Sequence, residues 1–112
     1  MNLNDYQKEA VSFAFYPKST EWDLPFYPAL GLAGEAGEVV EKIKKLMRDT
    51  DAKILTDEQK AEIVKELGDV LWYVANLAED LDYDLQQIAL TNLNKLRSRK
   101  VRNTLKGSGD NR

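Results

Sequence analysis

The stretch TDEQKAEIVKELGDVLWYVANLAEDLD, residues 56–82, decides the fold of this chain. Thr56 and Gln59 have the spacing of a capping box, in which each side chain satisfies an orphan backbone N–H of a helix start. The apolar residues from Ile63 to Leu81 then cover most of a helical circumference. A helix that is apolar nearly all round is covered by other helices. A chain of 112 residues has few helices to spare, so part of the cover is expected from a subunit interface.

Reading outward, Pro28 suits a first helical turn, where its missing N–H costs nothing. The pattern predicts a helix from Pro28 to about Arg48, with an apolar stripe through Leu32, Val39, Val40, Ile43, Leu46 and Met47. Gly31, Gly34 and Gly37 lie inside it, each costing roughly 1 kcal/mol against Ala. Close approach of another helix or a ligand is the expected reason for them. Upstream, Asn4 and Gln7 have capping-box spacing and predict a helix from about Asp5 to Phe15. Residues 16–27 read as a loop with apolar anchors, because two prolines and several aromatics fall there. Downstream, Asp84 and Gln87 predict a last helix with Leu85, Ile88, Ala89, Leu93 and Leu96 inward, fading near Val101. Strand-like alternation is lacking. The expectation is an all-α, four-helix-type bundle completed by oligomerisation, with one domain over 1–106 and a flexible tail over 107–112.

Composition narrows the chemistry. The chain has no His and no Cys. Disulfides, thiolate nucleophiles and the usual zinc ligands are therefore excluded, and any metal site must be built from oxygen. The net charge of −3 hides a split: residues 1–84 hold 18 acids and 9 bases, giving −9, and residues 85–112 hold 1 acid and 7 bases, giving +6. No signal peptide stands at the start, and no apolar run is long enough to span a bilayer. A cytoplasmic protein without membrane attachment is expected.

Glu35 and Glu38 are spaced i, i+3 on one predicted helix, and Glu66 and Asp69 on the next. Each pair leaves one helical face, and a short connector makes the two helices antiparallel neighbours. Both pairs sit among apolar residues, where unpaired carboxylates are costly. Either the pairs form a solvated stripe with i, i+4 ion partners such as Glu41–Lys45, or raised pKa values or cations neutralise them. Hard ions such as Mg²⁺ fit the second reading.

At these residues the sequence resembles a known family. Gly31-Leu32-Ala33-Gly34-Glu35-Ala36-Gly37-Glu38-Val39-Val40-Glu41, followed by Lys42, is similar to the first signature of the MazG-like nucleotide pyrophosphohydrolases. Lys65-Glu66-Leu67-Gly68-Asp69-Val70-Leu71-Trp72-Tyr73 is similar to their second. The resemblance runs over roughly residues 10–112.

The resemblance implies an all-α enzyme that cuts a nucleoside triphosphate between its α- and β-phosphates. It implies Glu35, Glu38, Glu66 and Asp69 as ligands of Mg²⁺, with Mn²⁺ a substitute, and a glutamate of the first pair acting on the attacking water. It also implies a substrate contact from Tyr73, phosphate contacts from Asn92 and Lys95, and assembly as a homodimer or homotetramer. Lys42 is expected either to reach a phosphate or to pair with Glu38. Trp22, with Tyr16, Phe26 and Tyr27, either stacks on the base or anchors the loop. A binding partner of nucleic-acid type is not expected, since the acidic body would repel a phosphate backbone. The competing reading is a non-catalytic helical interaction or nucleotide-binding module. A di-iron bundle is excluded, because its Glu-x-x-His motifs need a histidine.

Overall fold

A computed structural model describes residues 1–17, 25–51 and 53–112. Among the described residues all regular structure is helical: α1 (Leu3–Ser12), α2 (Phe26–Asp49), α3 (Asp57–Asp80) and α4 (Leu85–Val101). The all-α expectation is met. None of these helices is long and apolar enough to cross a membrane.

Two helix starts follow from local chemistry alone. Thr56 accepts from the Gln59 N–H at 3.1 Å, and the Gln59 side chain accepts from the Thr56 N–H at 2.9 Å. Asp84 and Gln87 repeat the arrangement at 2.8 and 2.9 Å. Between these helices Asp82 takes φ 61, a left-handed conformation that Asp tolerates. The Tyr83 N–H then bonds back to the Ala78 carbonyl at 2.9 Å, which ends α3 and satisfies one of its last acceptors.

The first helix departs from expectation in an informative way. Its capping box is formed by Asn2 and Asp5, two residues before the predicted pair, and the helix stops at Ser12. Asn4 and Gln7 are used for tertiary contacts instead. The Asn4 side chain accepts from the Gln86 N–H at 3.1 Å. Gln7 is buried and ties three segments together. Its amide N–H groups are shared among the Tyr83 carbonyl (3.0 Å), a Glu79 carboxylate oxygen (3.3 Å) and the Ala75 carbonyl (3.4 Å). Its carbonyl accepts from the Leu85 N–H, one of the orphan donors of α4, at 2.8 Å.

The core inside one chain is small. Among the described residues Ala10, Ala75, Ala78 and Leu85 form the buried apolar cluster, with Tyr6, Trp72 and Val74 packed against it. The three alanines let α1 approach α3 closely enough for the Trp72 indole to donate to the Ala10 carbonyl at 3.1 Å. In α4 only Leu85 of the expected inward set is buried, and Ile88, Leu93 and Leu96 are exposed at 39%, 42% and 38%. The hydrogen bonds that tie α4 to α1 fall in its first turn, at Leu85 and Gln86.

α2 and α3 form the most extensive pair. They run antiparallel, since residues of rising number on α2 meet residues of falling number on α3: Gly31 faces Tyr73, and Lys42 faces Glu62 and Glu66. Among the described residues, only Gly31 of the three glycines in α2 is closely approached, because a Cβ there would overlap the Tyr73 ring. A Cβ at Gly34 or Gly37 would meet none of the described residues within 4 Å.

Gln7→Leu leaves the Leu85 N–H and the Tyr83 carbonyl without their partner. It is expected to destabilise the protein by about 2 kcal/mol or more, read by urea unfolding followed by far-ultraviolet circular dichroism. An unchanged midpoint would mean that Gln7 is not the tie.

Candidate metal centre

The antiparallel register brings α2 and α3 carboxylates together. One oxygen from each of Glu35, Glu66 and Asp69 lies within 4.8 Å of the other two. Glu35 and Glu66 are half-buried and Asp69 is exposed. Glu38, the fourth expected ligand, is exposed and stands outside this trio.

The electrostatics show what the grouping costs. The Glu35 carboxyl is pushed above its usual range, first by burial and then by the charges of Asp69, Glu66 and Glu38, with a hydrogen bond to Glu66 acting in the same sense. Lys42 offsets part of this charge. Its ammonium lies 3.4 Å from Glu66 and 3.8 Å from Glu62, and it pairs with α3 rather than with Glu38. Three carboxylate oxygens converging against their own repulsion are a donor set suited to a hard divalent ion.

Tyr73 lies one turn beyond Asp69, with its ring over Gly31. Its hydroxyl pKa is raised, chiefly by burial and then by the neighbouring Tyr27 and Glu35. The Trp72 ring meets it edge-on at 5.0 Å. Tyr16 stacks on Tyr27 at 4.9 Å and donates to Asp80 at 3.1 Å. Burial, with that bond second, pushes the Tyr16 hydroxyl up to about 12. These contacts hold Tyr16 against α2 and α3. Trp22 lies outside the described residues.

On α4, Asn92 is exposed, and Lys95 pairs with Asp110 at 3.0 Å. Neither makes a hydrogen bond or ion pair with the carboxylate trio among the described residues.

Sequence reasoning missed Tyr6. Burial and then the Asp69 charge raise its hydroxyl pKa, so it stands at the edge of the cluster. Tyr6, Glu9, Ala10 and Phe13 line a cleft of about 300 Å³ with Trp72. Their i, i+3, i+4, i+7 spacing was the available signal, since it places them on one face of α1.

Two comparisons with known proteins bear on this geometry. The family model described as the MazG nucleotide pyrophosphohydrolase domain matches residues 28–102. That segment contains nearly all of α2, the whole of α3 and α4, and all four expected ligands. The Gene 37 protein of Mycobacterium phage L5 is 46% identical over 115 residues, and the match covers the whole of both chains.

Glu35 is a carboxyl whose folded pKa is raised. Its ionisation therefore weakens the fold as pH rises through the unfolded value near 4.5 toward the folded one, and the penalty persists at neutrality. In chelator at pH 7, Glu35→Gln is expected to raise Tm by a few degrees. Mg²⁺ is expected to raise the Tm of the wild-type protein and to raise that of the variant less. A variant that melts lower in chelator would contradict the mutual repulsion.

Proposed function

The chain belongs to the MazG nucleotide pyrophosphohydrolase family, and from that premise we propose that it hydrolyses a (deoxy)nucleoside triphosphate between the α- and β-phosphates. The products are the monophosphate and pyrophosphate. The observation that supports this most is the convergence of Glu35, Glu66 and Asp69, from two helices of the matched segment, on one point.

Glu35, Glu66 and Asp69 would hold Mg²⁺, or Mn²⁺ in its place, with Glu38 one turn along α2. Such an ion, when bound, neutralises charge on the triphosphate and on the leaving pyrophosphate. The chain's own groups do the remaining work. Glu38, lying outside the trio, orients the attacking water and takes its proton as the water oxygen bonds to the α-phosphorus. The bond from that phosphorus to the bridging oxygen breaks, and pyrophosphate leaves. Lys42 turns from Glu66 toward the phosphates, with Asn92 and Lys95 contributing from α4. Tyr73 contacts the nucleotide. The cleft beside Tyr6 takes the base, where Trp72 offers a stacking face. The cytoplasm, which holds the nucleotide pool, is the proposed compartment.

The protein works as a homodimer or homotetramer. One chain exposes 8804 Å², against roughly 6300 Å² for a compact monomer of its size. Its radius of gyration is 17.2 Å, against about 13 Å for a compact domain. Val40, Met47 and Val64 are exposed at 64%, 79% and 61%, and Gly34 and Gly37 leave room for another backbone. The surplus of about 2500 Å² per chain is of the order buried in obligate assemblies.

Incubation with Mg²⁺ and a panel of nucleoside triphosphates is expected to yield monophosphate and pyrophosphate. Orthophosphate release would overturn α–β cleavage, and nucleotide binding without any turnover would favour the non-catalytic module. Glu66→Gln and Asp69→Asn are each expected to lower kcat by about 100-fold or more with unchanged helical circular dichroism. A wild-type rate in either variant would reject the site. Light scattering at micromolar concentration is expected to give at least a dimer, and a monomer would reject the assembly.

A further inference from the structure

α4 ends in a hook. Asn103 takes φ 56, and the Thr104 N–H turns back to the Arg99 carbonyl at 2.7 Å. Gly107 and Gly109 have φ 137 and 84, values that only glycine adopts freely. The hook then folds along the helix, clasped by arginines that donate to its carbonyls. Arg99 Nη2 reaches the Asp110 carbonyl at 2.7 Å. Arg112 reaches the Gly109 carbonyl at 2.6 Å and the Leu105 carbonyl at 3.0 Å.

Inside this hook two cations meet one anion. The Asp110 carboxylate lies 3.0 Å from Lys95 Nζ and 3.5 Å from Arg99 Nη2. Arg99 is only 4% exposed, whereas the Asp110 side chain is 82% exposed. The Arg99 Nε and the Thr104 hydroxyl are buried with no hydrogen-bond partner among the described residues. A buried guanidinium needs its donors filled and its charge matched. Here one carboxylate serves two cations, and a buried donor of the guanidinium is unfilled. A phosphate group carries more oxygens and more charge than a carboxylate, and it matches that surplus better.

We infer that Lys95 and Arg99 form a phosphate-binding site that the Asp110 carboxylate fills in the ligand-free protein and yields to a phosphate of the incoming ligand. The inference rests on the reading above that the ligand is a nucleoside triphosphate. The exchange is cheap on the Asp110 side, because an exposed ion pair is weak. Arg99 keeps its grip on the hook through backbone carbonyls, so the carboxylate swings out while the hook stays. Asp110 thereby competes with the ligand and sets its apparent affinity.

Calorimetric titration of the full chain in chelator, where no turnover occurs, tests this with inorganic tripolyphosphate, a nucleoside triphosphate, orthophosphate and a nucleoside. Asp110→Asn is expected to bind both triphosphates about two- to five-fold more tightly than wild type. Lys95→Gln is expected to weaken both about tenfold or more. Tightening with both triphosphates but not with orthophosphate would assign the site to a polyphosphate chain, and tightening with orthophosphate as well would assign it to phosphate in general. The nucleoside should respond to neither substitution. Equal or weaker triphosphate binding by Asp110→Asn overturns the inference. In the wild type, the Asp110 carboxyl is held below its ordinary range, first by its bond to Lys95, so tripolyphosphate should raise its titration midpoint in carbon-detected magnetic resonance. No change there also overturns it. The expected binding pattern in a protein that releases no pyrophosphate would reject the hydrolase reading and leave this one standing. Pyrophosphate release with an indifferent Asp110→Asn would do the reverse.

Discussion

The contact between the Tyr73 ring and Gly31 sets everything around the candidate centre. Any side chain at position 31 would occupy the space of the ring, so glycine there lets α2 and α3 approach in one particular register. Once Gly31 faces Tyr73, antiparallel geometry carries Glu35 to Glu66 and Asp69, and Lys42 to Glu62 and Glu66. The three carboxylates have no reason of their own to converge. Packing at one end of the pair and the Lys42 ammonium at the other hold them together against repulsion that Glu35 registers as a raised pKa.

What could be read from the sequence follows the range of the interaction. The boxes at Thr56 and Asp84 need only residues three apart, so spacing alone reveals them. Asn4 and Gln7 have the same spacing, but their partners are Gln86, Tyr83 and Leu85, and nothing local announces contacts that distant. The carboxylate pairs were legible as pairs because helical periodicity fixes which face each occupies. That the trio excludes Glu38 was not legible. Three residues advance roughly 300° around a helix, and only the interhelical register decides which of two such carboxylates meets the facing ones.

The basic end shows how charge counting can mislead about use. Residues 85–112 carry seven cations, which by composition suggest a patch for anions. Arg112 gives Nε, Nη1 and Nη2 to backbone carbonyls instead, and Arg99 gives its Nη2. Gly107 and Gly109 supply the positive φ values that let the carbonyls turn toward the arginines. Part of the +6 of this end is thus a folding device, and Lys95 with Arg99 is where it meets a carboxylate.

The distance in sequence that Gln7 spans bears on the order of folding. Its bond to Leu85 joins residues 78 apart, and the Trp72 bond to Ala10 joins residues 62 apart. The α2–α3 hairpin closes across only the short connector between Asp49 and Asp57. Loop-closure entropy favours the nearer contact, so the hairpin is expected to form before α1 docks onto it. The carboxylate trio belongs wholly to that hairpin. The candidate centre is therefore assembled before the two ends of the chain are joined, and fraying of α1 opens the cleft beside it while leaving the trio in register.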